Sequence, residues 1–253
     1  MTVSELAENL PDIETLREFC RGLAMVEAIV YPNWENRYYL FDSNWATGEE
    51  MAEFNNGQGD QYLIMFSSVG AYICGFDHES PMSPFRQKDP KPWPGIIDTV
   101  PNEFQRFVEE PAFSYRDGPL VTVCLWRGKD DDEWRHGNIA FPRVEDPDGA
   151  DHLFWLLHYR EVDDYIGWAE EYYEKPIDAE SVAALFRGRP LTKEIVETLN
   201  AEITLEELEK DIEKDRLQSS RIDGKKKISC FVPKTIPFGF IDISISLILH
   251  NPL

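Results

Sequence analysis

The first apolar pattern in the chain has helical spacing. From Ile13 to Val26, apolar residues follow one another three or four positions apart. Pro11-Asp12 comes directly before this pattern, and aspartate commonly caps the first turn of a helix. The sequence therefore predicts an N-terminal helix that begins at Pro11-Asp12.

The pattern changes to strand spacing after this helix. Short aromatic and β-branched runs alternate with turn signals, of which Asn56-Gly57 is the strongest. The predicted strands are residues 37–42, 61–67, 71–76, 120–127 and 134–141, and residues 50–55 form either a strand or a helical turn. This order predicts an antiparallel meander. The proline-rich segment from Ser80 to Pro94 is predicted to be irregular and stiff.

The chain becomes helical from Asp151 onward. Asp178, Thr192 and Thr204 are suited to cap three successive helices, and Thr204 with Glu207 has the spacing of a capping box. Helices that follow a run of strands favour the α+β class. We predict an antiparallel sheet of five to six strands with an N-terminal helix and a C-terminal helical section, all in one domain over residues 1–217.

Residues 218–253 have a different character from the rest of the chain. The basic stretch GKKK is followed by Ile241–Leu249, in which apolar residues alternate with polar ones. Alternation is typical of a strand. This tail is either a last strand of the sheet or a loosely attached terminus.

The composition is that of a globular protein, with 42% hydrophobic and 13% aromatic residues. The first ten residues lack the basic and apolar regions of a signal peptide, and no apolar stretch approaches the roughly 20 residues of a membrane helix. The four cysteines are widely scattered: Cys20, Cys74, Cys124 and Cys230. Buried, reduced thiols explain this spacing, so we expect a cytoplasmic protein.

The formal net charge of −22 is unevenly distributed. Residues 221–253 carry five basic and two acidic side chains, which leaves −25 on the first 220 residues. Such a field repels phosphate, so we expect no binding to nucleic acid or to an anionic membrane. It attracts basic proteins, although acidity also serves solubility alone.

The common nucleotide and hydrolase motifs do not occur. There is no phosphate-binding P-loop, no G-x-S-x-G and no H-E-x-x-H. The glycines of GQGD at 57–60 lead into a strand, whereas a dinucleotide site needs a helix there. The recognisable enzymes of these classes are thereby excluded.

Asp77-His78-Glu79 is the densest group of reactive side chains, and it follows a predicted strand directly. In a continuing strand, Asp77 and Glu79 would point away from His78, so convergence on a metal or a substrate requires a turn at Phe76-Asp77. We favour a solvated strand end with a hydrogen-bonded histidine, and we predict no metal and no cofactor. The alternative is acid–base chemistry by His78 with Asp77 or Glu79.

Two further acidic groups are candidates for binding a partner. The loop KDDDE contains Asp130, Asp131 and Asp132 between Trp126 and Trp134. It is either a partner-binding hook anchored by the tryptophans or a solvated tip beside core tryptophans. The second group lies on the predicted helix 161–174. Its predicted apolar stripe is Tyr165, Ile166, Ala169, Tyr172 and Tyr173. Its acids are expected on the opposite arc: Asp163, Asp164, Glu170 and Glu171.

The segment EDPDGAD, residues 145–151, contains part of the pattern of a calcium loop. An EF-hand would need a third oxygen ligand and a glutamate six residues after Gly149, where the chain has Trp155. We therefore interpret the segment as a turn followed by a helix cap at Asp151.

Several runs together resemble a group of uncharacterised bacterial proteins. They are NRYYLFDSNWATGEEMAEFNNGQGDQYLIMF, GFDHES, WPGIIDTVP and EEPAF. The resemblance spans roughly residues 30 to 205 and implies a bacterial cytoplasmic protein, with no activity attached.

These observations favour a non-enzymatic protein whose acidic surface binds a basic protein partner. An antitoxin or immunity protein is a concrete form of this function, because it neutralises a partner by binding it. The alternative is a small-molecule-binding or hydrolytic enzyme that uses His78.

Overall fold

The computed structural model describes residues 1–33, 37–111, 114–115 and 118–208. The predicted segment Ile241–Leu249 lies outside these residues. The helices are α1 (Val3–Asn9), α2 (Ile13–Val30), α3 (Gln105–Val108), α4 (Ala150–Tyr159), α5 (Val162–Tyr173), α6 (Ala179–Phe186) and α7 (Lys193–Leu199). The strands are β1 (Tyr39–Ala46), β2 (Glu49–Asn55), β3 (Gln61–Ser67), β4 (Gly70–Phe76), β5 (Ser114–Tyr115), β6 (Gly118–Pro119), β7 (Val123–Gly128) and β8 (Arg135–His136).

The predicted α+β class is confirmed by an open antiparallel sheet of six strands in the order β1-β2-β3-β4-β7-β8. Strands β1 to β4 form the predicted meander, and residues 50–55 belong to β2. Strands β5 and β6 pair in a separate ribbon. Helices α1 and α2 come before the sheet and α4 to α7 come after it, as the sequence predicts in outline.

The predicted caps determine where several helices begin. Asp12 accepts a hydrogen bond from the backbone N–H of Thr15 at 3.0 Å, and Asp178 does the same for Ser181 at 2.8 Å. Thr192 caps α7, and Glu207 accepts from the N–H of Thr204 at 2.9 Å. Helix α1 was not predicted from the sequence.

One face of the sheet is covered by helices. Phe54 and Tyr62 stack at 5.2 Å between ring centroids, and Tyr62 stacks on Phe154 of α4 at 4.8 Å. Ile64 and Ile73 belong to the same core. This core includes buried residues of α1, α2, α4, α5, α6 and α7, so the helical layer lies against one side of the meander.

The other face is covered by the connection between β4 and β7. Met65, Tyr72 and Trp126 alternate with the residues of the first core, so they face the opposite side. Tyr72 stacks on Phe107 of α3 at 5.8 Å, and Met82 is fully buried in this second core. Part of the segment predicted as an irregular linker therefore forms a covering layer.

The predicted strand 134–141 is much shorter than expected. Strand β8 pairs with β7 only through Arg135 and His136. A Cβ at Gly137 would lie 1.7 Å from the carbonyl oxygen of Gly95, and a Cβ at Gly95 would lie 2.1 Å from that of Asn138. The strand ends because residues 137 and 138 pack against the loop around residue 95.

No helix within the described ranges is long and apolar enough to cross a membrane.

Candidate functional site

The chain turns at Asp77, as it must if the side chains of this segment are to converge on one site. Strand β4 ends at Phe76, and the carboxylate of Asp77 accepts hydrogen bonds from the N–H groups of Glu79 at 2.8 Å and Ser80 at 3.1 Å. The N–H of Asp77 donates to Oγ1 of Thr122 at 3.2 Å. Asp77 is buried, whereas the side chain of Glu79 is exposed. Glu79 therefore contributes its backbone to the turn and not its carboxylate to the site.

The partner of His78 is Asp60, a residue that the sequence analysis missed. Oδ1 of Asp60 lies 2.7 Å from Nδ1 of His78 and accepts the N–H of His78 at 3.0 Å. Oδ2 of Asp60 accepts from Nδ2 of Asn56 at 2.8 Å and lies 3.2 Å from Nε2 of His152 on α4. We call Asp60, Asp77, His78 and His152 the Asp60 cluster.

Opposite electrostatic effects act within the Asp60 cluster. Burial would raise the pKa of Asp60, but hydrogen bonds from His152 and His78 outweigh it and hold that pKa well below its usual range. The hydrogen bond to Asp60 raises the pKa of His152 despite partial burial. Burial raises the pKa of Asp77. An ionised carboxylate between two imidazoles thus lies beside a second, less acidic carboxyl group.

The loop before α4 forms one wall of the cluster. Gly149 has φ +78°, and a Cβ there would lie 2.4 Å from Oδ2 of Asp77, so only glycine fits. Asp148 is fully buried and accepts from the N–H groups of Val3 at 2.8 Å and Ala150 at 3.1 Å. Burial raises the pKa of Asp148 to about 6.

The predicted helix cap at Asp151 is wrong. Gly149 occupies the N-cap position of α4, and Asp151 lies in its first turn. Asp146 accepts from the N–H groups of Asp151 and His152 at 3.1 and 3.2 Å. The carboxylates of Asp146 and Asp148 thus accept hydrogen bonds from backbone N–H groups, as the predicted turn requires.

The tryptophans beside the KDDDE loop are core residues. Trp126 and Trp134 are 4% and 5% exposed, and Nε1 of Trp134 donates to the carbonyl of Pro11 at 2.6 Å. A partner cannot contact them while the fold is intact, so they do not form the anchors of a hook. Asp131 accepts from the N–H of Gly128 at 3.2 Å. Asp130 and Asp132 are exposed at the tip.

Helix α5 presents its acids to solvent as predicted: Asp163, Asp164, Glu170 and Glu171 are all exposed. Tyr165, Ala169 and Tyr173 are buried, but Tyr172 is 47% exposed, contrary to the predicted stripe. Tyr172 stacks on Trp168, one turn earlier, at 5.5 Å and 8° between planes. We call the four acids with Trp168 and Tyr172 the α5 surface.

The charges of the α5 surface are arranged unequally along the helix. Asp163 and Asp164 lie in the first turn, where acids complement the helix dipole, but the last turn contains no basic residue near Glu170 and Glu171. Glu170 accepts from the N–H of Ile177 at 2.9 Å. Among the described residues, no ion pair neutralises any of the four acids.

Comparisons of the chain with protein-family models, with curated proteins and with solved structures found no match. The Asp60 cluster and the α5 surface are the two candidate functional sites within the described part of the molecule.

Proposed function

We propose that this protein is an acidic interaction protein that binds a basic protein partner through the α5 surface. The observation that carries the proposal is the exposed Tyr172, stacked on the partly buried Trp168, on the same helix as four exposed acids. Within the described ranges none of these acids has an ion pair. Tryptophan and tyrosine are enriched among the few residues that supply most of the binding energy of a protein interface, and rim charges select and attract the partner.

The setting of the aromatic pair supports an anchoring role. Tyr38 contacts Tyr172 at 4.8 Å and Trp168 at 5.2 Å, in both cases edge to face. Tyr172 is thus held in place before a partner arrives. A rigid aromatic side chain loses little conformational freedom on binding, so it is an efficient anchor.

The proposed setting is the cytoplasm of a bacterium, in agreement with the resemblance noted above. A net charge of −22 disfavours nucleic acid and anionic membranes as partners and favours a cationic protein. Neutralisation of a basic toxin by an antitoxin or immunity protein is a concrete form of this function.

The first prediction tests the α5 surface by charge removal. The test variant carries Asp163→Asn, Asp164→Asn, Glu170→Gln and Glu171→Gln, and the amide introduced by Glu170→Gln retains an oxygen that can accept from the N–H of Ile177. The control removes four exposed acids outside both candidate partner-binding groups: Glu8→Gln, Glu103→Gln, Glu109→Gln and Glu145→Gln. We expect wild type and control to retain a basic protein from bacterial lysate at low salt and to release it at high salt. The test variant should not retain it.

The purified partner then allows a kinetic measurement. The four α5 substitutions should slow association and abolish most of its salt dependence, because rim charges act on the on-rate. Tyr172→Ala should instead speed dissociation by about tenfold or more. Equal losses in test and control variants would show that only total charge matters, and unchanged binding in both would contradict the proposal.

The Asp60 cluster supports a second candidate, a hydrolytic enzyme. Oδ1 of Asp60 lies 2.7 Å from Nδ1 of His78, an arrangement that orients an imidazole as a general base. The acid that assists His78 is thus Asp60 and not Asp77 or Glu79. We expect any hydrolysis of chromogenic ester or phosphodiester substrates to be lost in His78→Gln. An activity that survives this substitution would exclude His78 as its base.

A further inference from the structure

The Asp60 cluster contains a set of atoms with the spacing of metal ligands. One carboxylate oxygen each of Asp60 and Asp77 and one ring nitrogen of His78 lie within 4.8 Å of one another. Asp60 comes from the loop before β3, and Asp77 and His78 follow β4. The two neighbouring strands thus bring two oxygen donors and one nitrogen donor to one end of the sheet.

The site is built into the fold rather than spread over its surface. Asp60 and Asp77 are 4% and 8% exposed. Hydrogen bonds from Glu79 and Ser80 go to Oδ1 of Asp77, and within the described part of the chain none goes to its Oδ2. Oδ2 of Asp77 is not sealed in the core, so it can accept from solvent or bind a cation.

We propose that Asp60, Asp77 and His78 bind one divalent transition-metal ion, with Zn²⁺ as the best match. Imidazole nitrogen suits zinc better than calcium or magnesium, and carboxylates complete zinc sites in which three side chains leave one position for water. The sequence predicts no metal because Asp77, His78 and Glu79 would diverge in a continuing strand. The turn at Asp77 and the approach of Asp60 to His78 replace that geometry.

His152 is a positioning residue in this site. Its Nε2 lies 3.2 Å from Oδ2 of Asp60, on the opposite carboxylate oxygen from His78. Such outer contacts orient a ligating carboxylate and tune its affinity for the metal. The ion would therefore connect the β3–β4 hairpin and, through His152, the helical layer. This inference is independent of the proposed partner binding at the α5 surface.

The test uses the full chain, stripped with a chelator and titrated with Zn²⁺ in a calorimeter. We expect one ion per chain, bound at least about tenfold more weakly in His78→Gln and in Asp77→Asn. His136→Gln is the matched control, because His136 lies on β8 outside the cluster, and its affinity should equal that of wild type. Absence of binding, or binding that the two ligand substitutions leave unchanged, would overturn the proposal.

Two further measurements separate a ligand from a structural residue. The side chain of His78 is 38% exposed, so His78→Gln should fold, and circular dichroism checks this. At one Zn²⁺ concentration, the rise in thermal midpoint should be equal in wild type and His136→Gln and smaller in His78→Gln. His152→Gln should weaken Zn²⁺ by about tenfold without changing the stoichiometry, whereas an effect of zero would remove His152 from the site.

Discussion

The substitution Gly22→Ala is expected to lower the free energy of unfolding by about 3 kcal/mol or more. Gly22 lies in the middle of α2, and a Cβ there would be 2.2 Å from the carbonyl oxygen of Leu185 and 2.7 Å from its carbon. Both atoms belong to the backbone of α6, so no side-chain rotation relieves the clash. Helix α6 would have to move away, which separates Phe19 from Phe186, whose rings are 4.7 Å apart.

Gly167→Ala provides a matched control for this prediction. Gly167 is also inside a helix, but apart from the backbone of its own helix and its chain neighbours nothing lies within 4 Å of its Cβ position, and the residue is exposed. Alanine is favoured over glycine in a helix by about 1 kcal/mol, so this variant should be more stable than wild type. Urea unfolding measures whether each substitution lowers or raises the free energy of unfolding. A Gly22→Ala variant as stable as wild type would contradict the close packing of α2 on α6.

Local signals explain which elements could be predicted. The helices capped by Asp12, Asp178 and Thr192 begin where the sequence indicates, because each cap bonds a residue only three positions away. The contact of Gly22 with Leu185 joins distant parts of the chain, and no local pattern reveals it. The length of β8 also depends on a distant segment, the loop around residue 95.

The Asp60 cluster was only half visible in the sequence. His78 and Asp77 were identified, but Asp60 was not. A signal was available, because the β3–β4 hairpin pairs Gln61 with Phe76, and the same register places residue 60 opposite residue 77. His152 had no such signal, since the packing of α4 brings it to Asp60 from 92 positions away.

Among the surface features, too, local sequence predicts some and distant packing decides the others. Exposure of the α5 acids follows from the helical period, and it was predicted correctly. The burial of Trp126 and Trp134 was one of two interpretations, because flanking residues of a hairpin loop can face either way. The helical period places Tyr172 on the apolar stripe, but its side chain is 47% exposed. It stacks on Trp168, one turn earlier, at the edge of the helical layer.

The second large effect is expected at Glu27, which is fully buried in α2. Its carboxylate accepts from the hydroxyls of Tyr165 at 2.8 Å and Tyr173 at 2.5 Å, and from the N–H of Tyr38 at 3.2 Å. Leucine has a similar volume but no acceptor, so Glu27→Leu leaves three donors without this partner. Each unsatisfied buried group costs about 1–3 kcal/mol, and we expect a total loss of about 4 kcal/mol.

Glu27→Gln is the conservative control, because its amide oxygen still accepts hydrogen bonds. It should lose about 1 kcal/mol, as expected for one weakened hydrogen bond. Urea unfolding at constant pH compares the two variants. Equal losses in Glu27→Leu and Glu27→Gln would show that the hydrogen bonds to Tyr165 and Tyr173 do not depend on the acceptor oxygen.

The stabilisation by Glu27 should also depend on pH. Burial raises the pKa of Glu27 above its ordinary value, although hydrogen bonds from Tyr173 and Tyr165 oppose this. Between the ordinary and the raised pKa, the folded chain binds a proton that the unfolded chain has released, so stability falls as pH rises. The stability difference between wild type and Glu27→Gln should therefore shift against wild type as pH rises through this interval. Asp148, whose pKa burial also raises, is present in both proteins and cancels in the difference. Urea unfolding at a series of pH values measures the difference. A shift in favour of wild type with rising pH would show that folding lowers the pKa of Glu27.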